Sequence, residues 1–282
     1  MPQTKRYKLN LQGCALLLLC LLSALVVIVL VFRRLTPSPE PAPPEPEPPD
    51  TSLVTRAQID RLHYTDSVLG EMRWTLSDLR LEELNRVLEE YGITSPEEIS
   101  QFLAQAAVET AAGRHLTETG TEEYFQSHGY STGTRGAGYL QLTFEYGQMA
   151  FAVWMMKKYV PELADLEYVN PAAHGAERIA DAYYGALQRA ANLGLDVSRW
   201  SRIVYSSQSG RLSTGADYIA EEFPWESAGY YWLASGISSS FYEISTSLNT
   251  DIASRIIGGS GWQSRREAYA AFYPVLAELD QD

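Results

Sequence analysis

A chain of 282 residues with 22 Lys and Arg against 35 Asp and Glu, a formal net charge of −13, is poorly suited to nucleic acid, which asks for clustered cations. The same balance weighs against holding a strongly anionic polymer by charge alone. Both cysteines, Cys14 and Cys20, lie near the N-terminus, so the chain from residue 51 onward has no disulfide and no thiol nucleophile. It must stand on its core, for which about 230 residues are ample.

Residues 1–13 form a short basic N-terminus with Lys5, Arg6 and Lys8. Residues 14–32, CALLLLCLLSALVVIVLVF, carry no charge and run as long as a bilayer-spanning helix needs. A cleaved signal peptide has a shorter apolar stretch closed by a small-residue cleavage site. None follows Val31, so an uncleaved signal-anchor is expected, a single transmembrane helix. Arg33 and Arg34 follow the run, which leaves the positive-inside rule only a slight preference for an inside N-terminus. The expected placement is the cell membrane, single-pass, with the remainder outside.

Residues 33–50 read as a Pro/Glu-rich linker. The stretch 36–50, TPSPEPAPPEPEPPD, holds eight of the fourteen prolines. Such a segment builds no core and adopts polyproline geometry, a semi-rigid spacer of roughly 45 Å at about 3.1 Å per residue.

From residue 51 to 282 the period is helical. Leu81, Leu84, Val87, Leu88 and Tyr91 recur at spacings of three and four across 79–91, and Gly92 ends that helix. Ser95 is an N-cap, Pro96 suits the first helical position and Glu98 completes a capping box. Ile99, Phe102, Leu103 and Ala106 give the helix its buried stripe. Further helices are expected over 144–159, 175–192, 224–236 and about 264–280. Trp225, Tyr231 and Trp232 read as core. The best strand candidate is short, GYLQLT at 138–143, which leaves a mainly α domain with one small hairpin.

Two glutamates stand out. Glu109 sits one turn past Ala106, at the rim of the apolar stripe and near a helix C-terminus. Desolvation and the negative helix end both raise a carboxyl pKa, which suits a general acid for glycoside cleavage. Glu118 follows nine positions later, beyond Gly113, in the polar run TETGTEE. A solvated carboxylate there stays ionised and can activate water. Glu122 and Glu123 are close enough in sequence to compete for that role. Downstream, the glycines of RGAGYLQLT (135–143) permit close approach of backbone to ligand, and Gln141 and Thr143 can bond a polymer or a water. Tyr124, Phe125, Tyr130, Tyr139 and Tyr146 crowd the same region, and amphipathic aromatics suit a wet cleft. His63, His115, His128 and His174 show no metal-binding spacing, so no metal is expected.

The runs LNRVLEEYGITSPEEISQFLAQAAVETAAGRHLTETG, RGAGYLQLT, PWESAGYYW and SRIIGGSGWQSRREAYAAFY together resemble the family-19 glycoside hydrolases. These are chitinases and related cell-wall lytic enzymes of the lysozyme-like superfamily. The segments stand in the family's order and span nearly all of residues 55–275. The resemblance implies a two-lobed, lysozyme-like α+β domain with a substrate cleft. It implies inverting hydrolysis of a β-1,4-linked N-acetylglucosamine polymer, without a metal or cofactor. Glu109 matches the general acid, Glu118 the general base of compact bacterial members, and Thr143 the residue that holds the attacking water. Inversion asks for carboxyl groups roughly 6.5–9.5 Å apart. Tyr124, Arg135, Tyr139 and Gln141 are the expected substrate contacts. Val108, Ala137, Gly147 and Ile257 depart from the family's usual residues. The expected partner is therefore a polysaccharide, either chitin or the glycan strands of peptidoglycan cut in the manner of a muramidase or endolysin. A wall-binding domain without catalysis is the alternative of a different class.

Overall fold

The computed structural model describes residues 52–67, 69–207, 213–237, 246–258 and 260–278. The expected membrane helix at 14–32 and linker at 33–50 lie outside the described residues. Among the described residues no helix is long and apolar enough to cross a membrane. The described chain is mainly helical, with eleven α-helices and one two-stranded sheet.

Helix α1, Arg56–Arg61, starts in a full capping box between Thr55 and Gln58. It leads into an antiparallel hairpin of β1, His63–Asp66, and β2, Gly70–Arg73, in which Tyr64 faces Met72. Only Tyr64 and Asp66 are buried on β1, too short an alternation to announce a strand in the sequence. The hairpin therefore lies at 63–73 and not at 138–143. The GYLQLT segment is a turn, closed by isolated bridges from Ala137 to Thr117 and to Leu142. Its glycines break any run of pairing.

Helix α2 is Asp78–Glu90, capped by Ser77, with Leu81, Leu84, Val87 and Leu88 buried. Helix α3 is Pro96–Thr110. Ser95 Oγ accepts from the Glu98 N–H, and the Glu98 carboxylate accepts from the Trp232 indole N–H at 2.9 Å. The expected stripe on α3 is buried, but so are Ser100, Gln101, Ala104, Gln105 and Ala107. The helix is covered on nearly every side because α10, Thr246–Ile257, and α11, Trp262–Leu276, both pack along it. The small residues on its other faces are what allow that approach.

Two hydrophobic cores result. The first gathers the hairpin, α2, α3 and α11 around Phe102, Trp74 and Phe272. The second gathers α5 (Glu145–Tyr159), α6 (Ala176–Asn192), α7 (Ser198–Ser201) and α8 (Ala216–Glu222) around Phe151, Ile179, Trp200 and Ile219. Helix α9, Pro224–Ala234, serves both. Trp225 and Trp232 enter the first core, Tyr230 and Ala234 the second. A six-residue helix α4, Glu122–Ser127, stands apart with only Phe125 buried.

The junction of the cores carries a buried charge cluster. Glu226 on α9 is 2% exposed. It pairs with Arg86 of α2 at 2.7 Å and Lys158 of α5 at 2.5 Å, and accepts from Tyr91 Oη at 2.7 Å. Burial pushes its carboxyl pKa up, but Lys158, Tyr91 and Arg86 outweigh it and hold the group below the usual range.

Candidate functional site

The last turn of α3 ends in an uncommon backbone run. Ala111, Ala112 and Gly113 have φ of 50°, 58° and 86°, three consecutive left-handed residues. Thr110 braces the run. Its hydroxyl donates to Ala106 O at 2.6 Å and accepts from the Gly113 N–H at 2.9 Å. A Cβ on Gly113 would come within 3.2 Å of the Trp74 ring. The chain is thereby turned sharply between Glu109 and the segment that carries Glu118.

Glu118 is held at both oxygens and at its backbone. Tyr130 Oη donates to Oε1 at 2.8 Å and the Gly136 N–H to Oε2 at 3.3 Å. The Glu118 N–H donates to Gly136 O at 2.9 Å. A side chain at 136 would crowd this loop, since a Cβ there would meet Gln141 Oε1 at 2.6 Å. Glu122 is occupied elsewhere. It accepts from the Thr132 hydroxyl, from the Thr132 N–H at 2.9 Å, and from Gln126 at 3.0 Å. Those bonds, the hydroxyl first, hold its pKa below the ordinary carboxylate value.

Glu109, Glu118 and Thr143 line one open cleft of about 580 Å³, together with Gln141 and Tyr124. Neither Glu122 nor Glu123 lines it. Thr143 donates its hydroxyl hydrogen to Gln141 O at 2.7 Å, which leaves its oxygen free to accept from a water. Tyr124 is 43% exposed and offers a ring to a ligand.

Two of the expected contacts are corrected. Tyr139 is 2% exposed and stacks on Trp225 with centroids 3.5 Å apart, inside the first core. Arg135 turns away from the cleft lining. It pairs with Asp217 of α8 at 2.5 Å and donates to Thr132 O, which ties the Glu118 loop to the second core.

Glu109 has a partner that the sequence did not suggest. Its side chain is 20% exposed and ion-paired to Arg265, whose side chain is only 2% exposed. The guanidinium is itself fixed, by Gln105 Oε1 at 2.6 Å and Ser260 O at 2.9 Å. Arg265 was missed in the sequence, although a signal was there. It shares the apolar stripe of α11 with Ala268, Tyr269 and Phe272, and a cation on such a stripe needs a buried partner.

Backbone strain gathers at the same place. Among the described residues, five non-glycine residues have positive φ. Ala111, Gln141 and Phe144 line the cleft, and Ala112 adjoins it. Phe144, at φ 68° and ψ 150°, occupies a region open almost solely to glycine. Such positions cost on the order of 1–3 kcal/mol each and concentrate where function needs them.

A larger hollow of about 660 Å³ opens between α2, α5 and α8. Four of its charged residues are matched with one another, Arg80 with Glu83 at 2.5 Å and Arg86 with Glu226. The smaller cleft, with two carboxylates and concentrated strain, is the better candidate. Among the described residues no group of His, Cys, Asp and Glu could hold a metal ion. Neither a family model, nor a curated protein, nor a solved structure matches the chain.

Proposed function

We propose that this protein is a glycoside hydrolase. It cleaves β-1,4 bonds in an N-acetylglucosamine-containing polymer, with inversion, in a two-lobed lysozyme-like domain. The observation that carries the reading is one cleft holding two carboxylates in unlike settings. Glu109 sits at a helix end against a buried guanidinium, and Glu118 is fixed between a tyrosine hydroxyl and a backbone N–H.

The chemistry follows from those settings. Glu109 gives its proton to the glycosidic oxygen as the C1–O bond breaks. Glu118 takes a proton from a water whose oxygen bonds C1 from the opposite face. Thr143 accepts a hydrogen bond from that water and so aims it. The acid role needs a proton on Glu109 at the moment the glycosidic oxygen leaves. Arg265 keeps the side chain in place throughout. Gln141 and the ring of Tyr124 supply polar and stacking contacts to the sugars. The chain would be anchored in the cell membrane through residues 14–32, held off by the proline spacer, with its domain outside. A tether favours the cell's own wall glycan as substrate, and the sequence resemblance favours chitin.

Anomeric analysis tests the mechanism. Proton NMR of N-acetylglucosamine oligomers treated with the full-length chain in detergent should show the α-anomer first. First appearance of the β-anomer would rule out the roles given to the two glutamates.

Val108 and Ile257 place apolar side chains in the cleft, which favours a second reading, a glycan-binding domain without turnover. It predicts sedimentation with insoluble glycan and no new reducing ends.

A further inference from the structure

We propose that Phe144 is a positioning residue. Its strained backbone sets an aromatic ring against Tyr130, and Tyr130 in turn fixes the carboxylate of Glu118. The inference rests on the reading of Glu118 as the base.

The backbone comes first. At φ 68° and ψ 150° a glycine would fit without strain, yet the chain has a phenylalanine. The conformation is locked from both sides. The Phe144 N–H donates to Thr134 O at 2.9 Å, and its carbonyl accepts from the Gln148 N–H at 3.1 Å. Gln148 is fully buried. Its side chain donates to Gly133 O and accepts from the Tyr205 N–H, both at 2.9 Å. The loop that receives Phe144 is therefore tied to the helix that Phe144 begins. Strain held by this much support clusters at functional sites, and the side chain it presents here is an aromatic ring.

The ring lies parallel to Tyr146, with centroids 5.2 Å apart at 10°. Its contact with Tyr130 is edge-to-face, 5.4 Å at 88°, a favoured aromatic geometry. Phe125 also packs against Tyr130, with centroids 5.8 Å apart. Tyr130 so confined has one polar atom, and it donates to Glu118 at 2.8 Å. Burial, and after it the Glu118 carboxylate, pushes the Tyr130 phenol pKa up, so the group stays a donor. The second bond to Glu118, from Gly136 at 3.3 Å, is the longer one. Tyr130 is thus the main orienting contact of the base, and Phe144 orients Tyr130.

The rival role is direct, because Phe144 also lines the cleft and could serve as a sugar platform. Kinetics separate the two on the full-length chain with N-acetylglucosamine oligomers. Phe144→Gly should lower kcat by on the order of 10- to 100-fold, the scale on which a misplaced group costs rate, and leave KM within about twofold. Tyr130→Phe should do the same. The double variant should be no worse than the poorer single, since both act on one bond. Phe144→Trp should restore the rate. Multiplied defects in the double variant, or a loss confined to KM, would overturn the proposal. If Phe144→Gly does not fold, Phe144→Leu is read in the same way. A crystal structure of the variant gives a readout independent of turnover. The Tyr130–Glu118 bond should be broken or displaced, and a bond retained at 2.8 Å would overturn the proposal even if the wild-type chain cuts no glycan.

Discussion

Arg265 shows how one residue sets the terms for the site. Its guanidinium is buried against Glu109 and Gln105, so removing it leaves a carboxylate and an amide oxygen without their partner. Arg265→Met should destabilise the domain by about 3–5 kcal/mol, the usual cost of breaking a buried pair on one side. Arg265→Lys should recover little, because an ammonium cannot fork to three acceptors. Urea unfolding followed by tryptophan fluorescence measures both. An Arg265→Met variant as stable as the wild type would mean that the pair is not buried as described. At this scale the sequence was legible for five of the residues it singled out. Glu109, Glu118, Thr143, Gln141 and Tyr124 all reach one cleft. It was illegible where burial chose. Tyr139 and Tyr124 look alike in a sequence. Only the distant Trp225, which stacks on Tyr139, decides that one is core and the other is exposed.

At the scale of elements, α3 carries the site and its two ends are fixed differently. The start is set by Ser95, whose Oγ accepts from the Glu98 N–H at 3.1 Å. Ser95→Ala should cost about 1 kcal/mol, read as a shift in the urea midpoint with an unchanged slope. The cap, the proline and the apolar spacing made this start readable. The end is set by three left-handed residues and the Trp74 ring beneath Gly113, and the glycine alone hinted at it. The turn at 136–143 is a similar case. Its apolar alternation resembled a strand, but Gly138 has φ 74° and lies against α9. A Cβ there would meet Ser227 Oγ at 2.2 Å and Pro224 O at 2.9 Å. Gly138→Ala should therefore destabilise by more than about 1 kcal/mol, since both the conformation and the space oppose it. Thermal unfolding that left Tm unchanged would contradict this packing.

The whole described domain is two cores joined by α9, with Glu226 at the join. The carboxyl titrates below its ordinary value of 4.5 in the folded chain. The stability it contributes is therefore complete above that pH and is lost as the pH falls through the lowered folded value. Wild type should lose Tm steeply in that acid window. Glu226→Gln should start lower at neutral pH and decline less. Parallel pH curves would show that the cluster adds no pH-linked stability. Two cores could not be counted from the sequence, because the helical period shows which face of an element is buried and not which neighbour buries it. The mainly helical character needed only the period, and so it was legible.

The central claim is that the cleft cuts glycan through Glu109. The most direct measurement is release of reducing ends from N-acetylglucosamine oligosaccharides and from purified peptidoglycan by the full-length chain, with Glu109→Gln alongside. The account predicts release from one of the two polymers and its loss in the variant, because the amide has no acidic proton to give the leaving oxygen. No release from either polymer, with glycan still bound, would contradict it and leave a domain that holds glycan without cutting it.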